Sequence, residues 1–480
     1  TPRPLEHLML GLIHSSLRHA SLTRRAPTPK TATRPTKPGR TSHASLRPYS
    51  SPSIRVEQSE SKNVIDHLVE RGIITAMTSP ALRDIIEKDP GCAVYAGYDP
   101  TADSLHVGHL ISIITLGHLK KAGLKPIAIV GGATGMVGDP SGRSEERPLL
   151  SEEQIAKNLE SLKRTISGIL GEDATVLNNY EWYKDMSAIS FLRNIGKHFR
   201  MGTMLAKDSV KSRLDDNGMS FTEFSYQLLQ GYDFNYLFEN HNCKIQIGGS
   251  DQWGNITAGI DLIHKLHGKE AFGFTVPLLT TAGGVKISKS MGNAVWLSPH
   301  RDSPYQLYQW AMRLDDADIE PMLRMLTFLP LKTVAEIATE HAKRPEARQG
   351  HKILAAEVTK LVHGESGLSS AQQTSDILYG GKLDPTRTSA NDLLSAFKDS
   401  GCIVSLPKNH VIGANFLALA SSAGVTSSKA EIRRLADSGG IYLNNTSVKL
   451  DYIIGESDLI EGKAILLRTG KKNYKLVSLE

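Results

Sequence analysis

Two imidazoles three residues apart stand where a predicted strand meets a predicted helix. The segment Leu105-His106-Val107-Gly108-His109 follows a strand at Cys92–Ala96 and opens a helix that extends to about Lys121. Backbone N–H groups and the positive dipole at a helix start favour phosphate oxygens, and Gly108 would let a nucleotide approach closely. A histidine pair is more often incidental than catalytic. At this junction it indicates a nucleotide site.

A second segment that suits phosphate chemistry lies further along the chain. Residues 283–292 place two lysines, Lys286 and Lys289, between glycines. Paired cations on a glycine-flanked loop suit a lid that closes over a polyphosphate and stabilises the charge developing on it. Alone, the same segment would be interpreted as a solvated basic surface loop.

Together these HVGH and KISKS segments resemble the paired signature of class I aminoacyl-tRNA synthetases, usually written HIGH and KMSKS. Each departs from it by one apolar substitution and keeps every polar group. The resemblance is most detailed to tyrosyl-tRNA synthetases, over the runs Tyr95–His109, Gly131–Gly142, Phe221–Gln230 and Gln246–Asn255. It covers about residues 63–365, and residues 411–480 resemble the S4 RNA-binding domain of that family.

The resemblance implies a role for individual side chains. It implies that tyrosine is bound by Tyr95, Asp139, Asn179, Tyr226, Gln230, Asp233 and Gln252, with Trp182 beside Asn179 in the wall of the ring pocket. It implies ATP contacts from Gly97, Asp99, His106, His109, Gly249, Asp251, Lys286 and Lys289. The implied catalytic set is Thr101, His106 and His109 with the cations Arg143, Arg147, Lys286 and Lys289, which would clamp the phosphates in the transition state.

The implied activity is that of a tyrosine–tRNA ligase. ATP, accompanied by Mg²⁺, would activate L-tyrosine as tyrosyl-adenylate, and the tyrosyl group would pass to the 3′ end of tRNA(Tyr). Attack of a carboxylate on the α-phosphate needs alignment and charge neutralisation more than a covalent nucleophile. We expect no other cofactor and no metal held by the protein. Ala96 is a departure, because many bacterial relatives have a cysteine there near the ribose.

Strands alternate with helices through the first half of the chain, which indicates a parallel sheet of α/β type. Strand-like segments fall at Pro126–Val130, Ala174–Leu177, Lys244–Ile247 and Phe274–Pro277, after two amphipathic helices between Asn63 and Lys88. Ligands of such a sheet lie beyond the carboxyl ends of its strands. We predict a Rossmann-like catalytic domain at 51–297, an α-helical domain at 298–365, a linker at 366–410 and a small α+β S4-like domain at 411–480.

Basic residues near the C-terminus form two groups. Lys429, Arg433 and Arg434 share one face of a predicted helix, and Arg468, Lys471, Lys472 and Lys475 form the second group. The family resemblance implies that the first group binds tRNA through phosphates and shape. A plain solvated helix is the alternative.

The first fifty residues have a composition unlike the rest. Residues 1–49 hold nine basic side chains and one acid, a charge of +8 that leaves −2 for the remainder of a +6 chain. Abundant Arg, Ser and Thr with few acids is typical of a mitochondrial transit peptide. We therefore predict a transit peptide at 1–50 and a location in the mitochondrial matrix. A disordered basic tail that touches RNA is the alternative.

Composition excludes several classes of protein. The three cysteines, Cys92, Cys243 and Cys402, form no CxxC pair, so neither a disulfide framework nor a zinc motif is indicated. No apolar run has the length of a membrane span. The resemblance also implies a homodimer.

Three alternative functions stay open at this point. A nucleotidyltransferase that makes a nucleotide-linked metabolite is disfavoured by the KISKS segment and the S4-like tail. A tryptophanyl-tRNA synthetase is disfavoured by Tyr95 and Asp233 at the base of the pocket. A non-catalytic RNA-binding protein is disfavoured by the intact motifs, although an additional role in intron splicing is compatible with them.

Overall fold

The computed structural model describes residues 63–142, 150–207, 210–211, 213, 218–281, 283–284, 287, 294–378, 383, 388–398, 402–426, 428–470 and 473–480. These residues all fall within one compact unit, Val56–Glu480. The predicted transit peptide lies outside the described residues, as do Arg143, Arg147, Lys286, Lys289, Lys471 and Lys472.

A six-stranded sheet organises the first half of the protein. Its strands are β1 (Ala76–Met77), β2 (Ala93–Tyr98), β3 (Lys125–Val130), β4 (Thr175–Asn178), β5 (Cys243–Gly249) and β6 (Phe272–Val276). They lie in the order β1-β6-β5-β2-β3-β4, and only β1 is antiparallel to its neighbour. Strands β2, β3 and β6 are buried almost throughout, because helices cover both faces of a parallel sheet. The predicted α/β fold class is confirmed.

Helices connect the strands of this sheet. They are α1 (Val64–Glu70), α2 (Leu82–Lys88), α3 (Val107–Lys121), α4 (Thr134–Val137), α5 (Glu152–Leu170), α6 (Tyr180–Tyr183), α7 (Ala188–Asn194), α8 (Met201–Leu205), α9 (Phe221–His241) and α10 (Trp253–His267). Short 3₁₀ turns lie at Gly196–His198 and Ser250–Gln252.

The strand order reverses at β2. From β2 the chain moves outward through β3 to β4, and it then returns to the opposite side of β2 as β5. The connections after β2 and β5 therefore diverge, and they leave a crevice beyond the carboxyl ends of these two strands. The HVGH segment follows β2 and the segment Ser250–Asn255 follows β5. Topology alone thus brings two distant motifs together.

A helical region packs beneath the sheet. It comprises α11 (Pro304–Met312), α12 (Asp316–Leu326), α13 (Leu331–Lys343) and α14 (Gln349–Leu378), which is kinked at Gly364 where φ is +72°, with a 3₁₀ turn at Pro345–Ala347. Arg71 ties this region to the first helix: it is 2% exposed, and it donates to the backbone carbonyls of Arg324, Thr327 and Leu329.

The C-terminal region is a small α+β unit. Its helices are α15 (Ala390–Phe397), α16 (Lys408–Val411), α17 (Phe416–Ser422) and α18 (Lys429–Asp437), with a 3₁₀ turn at Glu456–Asp458. Its strands are β7 (Ile403–Leu406), β8 (Ile441–Leu443), β9 (Thr446–Ser447), β10 (Ala464–Thr469) and β11 (Asn473–Leu479), in the order β7-β11-β10-β8-β9.

The segment 366–410 differs from the predicted linker. It contains the end of α14, all of α15 and strand β7, which pairs in parallel with β11. Ile377 and Leu393 are fully buried in one apolar cluster with Leu466 and Leu476 of the C-terminal sheet. Its many Ser, Gly and Asp residues are typical of a connector, but four or five apolar side chains are enough to fix it onto a neighbouring sheet.

No helix in the described part of the chain combines the length and the apolarity needed to cross a membrane.

Candidate active site

A cavity of about 580 Å³ opens at the carboxyl ends of β2 and β5. Thirteen side chains or glycines predicted to bind tyrosine or ATP line it: Tyr95, Gly97, Asp99, Thr101, His106, His109, Asp139, Tyr226, Gln230, Asp233, Gly249, Asp251 and Gln252. Asn179 stands behind the wall, where it is fully buried. The polar residues converge from segments more than 150 positions apart, as the reversal at β2 requires.

The two histidines of HVGH form the cap of helix α3. His106 is the N-cap residue, and its Nδ1 accepts the backbone N–H of Gly108 at 3.1 Å. His109 is three residues later, and its Nδ1 accepts the backbone N–H of His106 at 3.2 Å. Because both Nδ1 atoms are acceptors, each neutral ring carries its proton on Nε2. The motif thus fixes the tautomer and position of two imidazole N–H donors.

The glycine of the motif leaves room for the capping ring of His106. A Cβ at Gly108 would lie 2.8 Å from Cε1 of His106 and 3.3 Å from the carbonyl oxygen of Ile287. Any side chain there would displace the capping ring or the segment that carries Ile287. Close approach of a ring and of the protein's own backbone is therefore the visible reason for glycine at this position.

The floor of the cavity holds a buried carboxylate. Asp233 is 3% exposed; its Oδ2 accepts from Nδ2 of Asn179 at 3.0 Å and its Oδ1 from Nε1 of Trp182 at 2.9 Å. Burial raises the pKa of Asp233 to about 7, although these hydrogen bonds oppose the rise. The carboxyl group therefore changes charge near neutral pH.

Tyr95 lies beside this carboxylate with an unsatisfied hydroxyl. The side chain is 1% exposed, and its hydroxyl has no hydrogen-bond partner among the described residues. Burial, followed by the nearby charge of Asp233, raises the pKa of Tyr95 well above its usual range, so the hydroxyl stays protonated. An unpaired buried hydroxyl costs about 1–3 kcal/mol. A polar group of a ligand in this cavity would remove that cost.

One face of helix α9 supplies three of the site residues. Tyr226, Gln230 and Asp233 lie at i, i+4 and i+7 and therefore point to the same side. The start of the helix is held by Ser220, whose side chain accepts the N–H of Glu223 at 3.1 Å. Glu223 in turn makes a buried two-pronged ion pair with Arg213, at 2.7 and 2.8 Å. Loss of one partner would leave a buried charge, at a cost of about 3–5 kcal/mol.

A hydrogen-bonded chain runs along the cavity from Asp233 to Tyr226. Asn179 donates to Asp233 and also to Oγ1 of Thr134 at 3.0 Å. Thr134 donates to Oδ1 of Asp99 at 2.7 Å, and the hydroxyl of Tyr226 donates to Oδ2 of Asp99 at 2.8 Å. Thr134 had no predicted role, because a threonine in a glycine-rich turn gives no chemical signal.

This chain explains the first glycine of the run Gly131–Gly135. A Cβ at Gly131 would lie 2.1 Å from Oδ1 of Asp99 and 2.2 Å from Oγ1 of Thr134. The turn can therefore hold the Asp99–Thr134 hydrogen bond only if position 131 lacks a side chain.

Asn255 is a second functional residue that carries no recognisable signal in the sequence. Its Nδ2 lies 3.1 Å from Oε1 of Gln230, 3.2 Å from Oε1 of Gln252 and 3.4 Å from Oδ1 of Asp139. Gln252 also donates to Asp139 at 2.7 Å. Asn255 is 4% exposed and adjoins the cavity from behind. One amide, which has two hydrogens to donate, thus lies within hydrogen-bonding distance of three predicted ligands of the amino acid.

The predicted cations are described only through their neighbours. Arg143, Arg147, Lys286 and Lys289 lie outside the described residues. Ile287, between the two lysines, is 3% exposed, lines the cavity and donates its N–H to the carbonyl of Leu279 at 2.8 Å. One residue of the KISKS segment therefore borders the same cavity as the histidines.

The two basic groups near the C-terminus differ in exposure. Lys429, Arg433 and Arg434 are all exposed on helix α18. Arg468 is 9% exposed: it stacks on Tyr442, 3.7 Å from the ring centre, and donates to Asn445 at 2.8 Å. The guanidinium of Arg468 is therefore used inside the domain, whereas Lys471 and Lys472 of the same predicted group lie outside the described residues.

Comparison with known families matches both halves of the chain. Residues 87–380 match the model of class I tRNA synthetases for tryptophan and tyrosine. Residues 405–477 match the model of the C-terminal domain of SYY-like tyrosine–tRNA ligases.

Several relatives are similar over nearly their full length. The chain is 44% identical to a tyrosine–tRNA ligase of Roseiflexus castenholzii and 46% identical to one of Protochlamydia amoebophila, covering 87% of this chain and 99% of each relative. A C-terminally truncated mitochondrial tyrosyl-tRNA synthetase of Aspergillus nidulans superposes with a TM-score of 0.61 at 31% identity, covering 66% of this chain and 95% of that structure. The corresponding Coccidioides posadasii structure gives 0.59 at 34% identity, covering 65% and 91%. The cavity, its polar lining and these similarities together show that the chain belongs to the tyrosine–tRNA ligase family of class I aminoacyl-tRNA synthetases.

Proposed function

We propose that this tyrosine–tRNA ligase holds the phenol of L-tyrosine between Tyr95 and Asp233. The observation that carries the proposal is the pair of buried groups with spare hydrogen-bonding capacity. The phenol would donate to the carboxylate of Asp233 and accept from the hydroxyl of Tyr95, whose hydroxyl has no partner among the described residues. Phenylalanine would leave the Tyr95 hydroxyl unpaired and Asp233 without its additional donor, which is how a polar pocket rejects an analogue that lacks the hydroxyl.

The amino acid's other end fits the opposite part of the cavity. Asp139, Tyr226 and Gln230 would surround the ammonium, and Gln252 would approach the carboxylate. Asn255 fixes the positions of Asp139, Gln230 and Gln252 relative to one another. Such a preset arrangement directs the carboxylate toward the ATP side and lowers the entropic cost of reaction.

ATP, carried as its Mg²⁺ complex, would lie along the start of α3. The Nε2–H groups of His106 and His109 suit phosphate oxygens, and Thr101 would contact the leaving pyrophosphate. Gly97, Asp99, Gly249 and Asp251 would contact the nucleotide, while the cations Arg143, Arg147, Lys286 and Lys289 would neutralise the transferring phosphates. Attack of the tyrosine carboxylate on the α-phosphate releases pyrophosphate and leaves tyrosyl-adenylate.

The second step moves the tyrosyl group to RNA. A hydroxyl at the 3′ end of tRNA(Tyr) attacks the acyl carbon, and AMP leaves. Neither step requires a covalent enzyme intermediate, because a phosphoanhydride bond of ATP is broken in the first step and the mixed carboxylic–phosphoric anhydride of tyrosyl-adenylate activates the acyl group for the second. The protein's contribution is positioning and charge stabilisation.

The ionisation of Asp233 should control tyrosine binding. Because its pKa is about 7, the fraction in the carboxylate form rises with pH. Only the ionised carboxylate can accept a hydrogen bond from the phenol in addition to those from Asn179 and Trp182. We expect the KM for tyrosine, measured by ATP–pyrophosphate exchange, to fall roughly tenfold from about pH 6 to about pH 8.

Two variants separate charge from polarity in this test. Asp233→Asn should lose most of its tyrosine-dependent exchange and the pH dependence of KM. Tyr95→Phe should weaken the preference for tyrosine over phenylalanine but keep that pH dependence, because the carboxylate remains. An Asp233→Asn enzyme as tyrosine-selective as the parent would contradict the assignment, as would exchange driven equally by tryptophan.

The exposed basic face of α18 should serve the RNA step alone. Reversing Lys429, Arg433 and Arg434 to glutamate should lower kcat/KM for tRNA charging at least tenfold, because attraction to the phosphates becomes repulsion. Removal of each phosphate-binding cation should also reduce the log–log salt slope of tRNA affinity by about one. Adenylate formation, measured without tRNA, should be unchanged.

A control variant with two charge reversals elsewhere in the domain tests whether the position of the basic residues matters. Lys449 and Lys463 are exposed in the same domain but lie outside α18. Lys449→Glu with Lys463→Glu should leave charging within about twofold of the parent. Equal losses in both variants would remove the special role of the α18 face.

We also propose that the enzyme is a homodimer. Apolar side chains protrude between α7 and the start of α9: Ile189 is 74% exposed, Met201 58% and Phe221 76%. A second copy would cover such a surface, since monomers rarely leave large apolar side chains grouped in water. In light scattering, the parent should have twice the chain mass. Ile189→Asp with Phe221→Asp should give monomers, whereas Ile453→Asp, equally apolar and 58% exposed in the C-terminal domain, should not.

The mitochondrial matrix is the proposed location. Its support is the acid-poor, basic composition of residues 1–49 and the likeness to two fungal enzymes named as mitochondrial. A fluorescent reporter fused behind residues 1–60 should accumulate in mitochondria. Replacing Arg24, Arg25, Arg34, Arg40 and Arg47 by glutamine should return it to the cytosol, and a cytosolic parent fusion would refute the proposal.

A further inference from the structure

Three helices of the region beneath the sheet meet at a cluster of metal-ligating side chains. Asp316 is the first residue of α12, His341 lies in the last turn of α13 and His351 lies in the first turn of α14. One ligand atom from each of the three lies within 4.8 Å of the other two. None of the three side chains lines the cavity at the carboxyl ends of β2 and β5.

The Nε2 atoms of both imidazoles face the same carboxylate oxygen of Asp316. Nε2 of His341 lies 3.1 Å from Oδ1 of Asp316, and Nε2 of His351 lies 3.8 Å from that same oxygen. Nε2 of His351 also lies 2.8 Å from the carbonyl oxygen of Leu314. The Nδ1 atoms of both rings are buried without a hydrogen-bond partner among the described residues. Within that part of the chain, the polar contacts of the two rings therefore all converge on one spot.

We propose that Asp316, His341 and His351 bind a divalent transition-metal ion of the Zn²⁺ type, with the carbonyl of Leu314 as a further oxygen ligand. Two imidazoles and a carboxylate are a ligand set that suits zinc. Ligand atoms around a tetrahedral zinc ion stand about 3.3 Å apart. The separations of 2.8, 3.1 and 3.8 Å are close to that value, so small side-chain shifts complete the geometry.

Burial and access both fit such a site. His341 is 5% exposed and His351 is fully buried, so packing holds the two rings in place. The side chain of Asp316 is 57% exposed, and Asp316 and His341 line a groove of about 840 Å³. An ion can therefore enter from solvent and meet two preformed ligands. On binding, both rings change tautomer: the Nε2 protons that face Asp316 from His341 and Leu314 from His351 are exchanged for protons on Nδ1, and the freed Nε2 lone pairs bind the ion.

The ion would join the ends of three helices. It would link the start of α12, the end of α13 and the start of α14, which are connected by short turns at 327–330 and 344–348. Its role would be structural, away from the cavity that binds tyrosine and ATP. A histidine–aspartate hydrogen bond without metal is the competing explanation, and both accounts predict the same apo geometry.

The test uses the full chain without an affinity tag, stripped with a chelator and then titrated with Co²⁺. Tetrahedral or five-coordinate Co²⁺ gives a strong visible absorption, which reports the ligand geometry directly. We expect one high-affinity equivalent per chain, competition by Zn²⁺ and a higher melting temperature with metal. At a metal concentration of 100 times Kd, the folded state is favoured by about 100-fold.

Substitutions identify the site. His351→Gln keeps a side-chain donor for the Leu314 carbonyl but removes the imidazole, and Asp316→Asn keeps the shape at an exposed position. Each should weaken Co²⁺ binding at least tenfold and abolish the thermal shift, with a melting temperature in chelator close to that of the parent. His363→Gln makes the same change further along α14 and should bind as the parent does.

Two results would overturn the proposal. One is a parent chain that binds no more Co²⁺ than the His341→Gln, His351→Gln double variant, which would leave a hydrogen-bonded histidine–aspartate pair only. The other is loss of binding in His363→Gln equal to that in His351→Gln. Because every readout concerns metal binding and stability, neither result depends on the activity of the tyrosine and ATP cavity.

Discussion

The arrangement of the rest of the active site depends on the buried carboxylate of Asp233. A pKa near 7, against 3.8 for a free side chain, means that the surroundings of Asp233, its hydrogen bonds included, favour the neutral form by about 4 kcal/mol. Hydrogen bonds to a charged group return about 1.5–3 kcal/mol each, and the protein supplies them from Asn179 and Trp182. These two bonds do not abolish the cost. A further donor, such as the phenol proposed above, would stabilise the carboxylate.

Holding that carboxylate requires elements that are remote in sequence. Asn179 follows β4, Trp182 belongs to α6 and Asp233 lies on α9. Both polar atoms of the Asn179 side chain are hydrogen-bonded, since its oxygen also accepts the backbone N–H of Ala133 at 2.8 Å. Through Thr134 and Asp99 the same network reaches Tyr226. The proposed phenol and ammonium ends of the pocket are thus parts of one hydrogen-bonded structure.

The predictable parts of this protein are those with local signals. Apolar runs marked β2 and β3, alternating Ile245 and Ile247 marked β5, and polar residues at the ends of these strands marked the cavity, because parallel strands end at one edge of the sheet. The roles of Gly108 and Asn255 were not predictable in this way. Position 108 must be glycine because the helix cap places the His106 ring against it. Asn255 contacts three site residues that only the fold brings near it.

In the C-terminal half, the structure of residues 366–410 depends on long-range packing and could not be predicted from local sequence. Residues 366–410 are polar on average, yet Ile377 and Leu393 are fully buried because a sheet from later in the chain covers them. The same limit applies to Asp316, His341 and His351, whose spacing follows no metal motif. In both cases the deciding partners lie on other helices or strands. Composition measures how polar a segment is, but only the fold decides which of its few apolar or ligating side chains face a partner.

Helix α3 connects the two regions that carry these features. Its first turn holds the capping histidines at the cavity, and its last turns pack against the helical region, where a Cβ at Gly117 would lie 2.6 Å from Cζ of Phe328. His118, buried against Phe328, has its pKa lowered to about 2 by burial and stays neutral. A close helix contact and an uncharged buried imidazole leave little freedom for α3 to shift. The helical region therefore positions the two capping histidines through a rigid helix of fifteen residues.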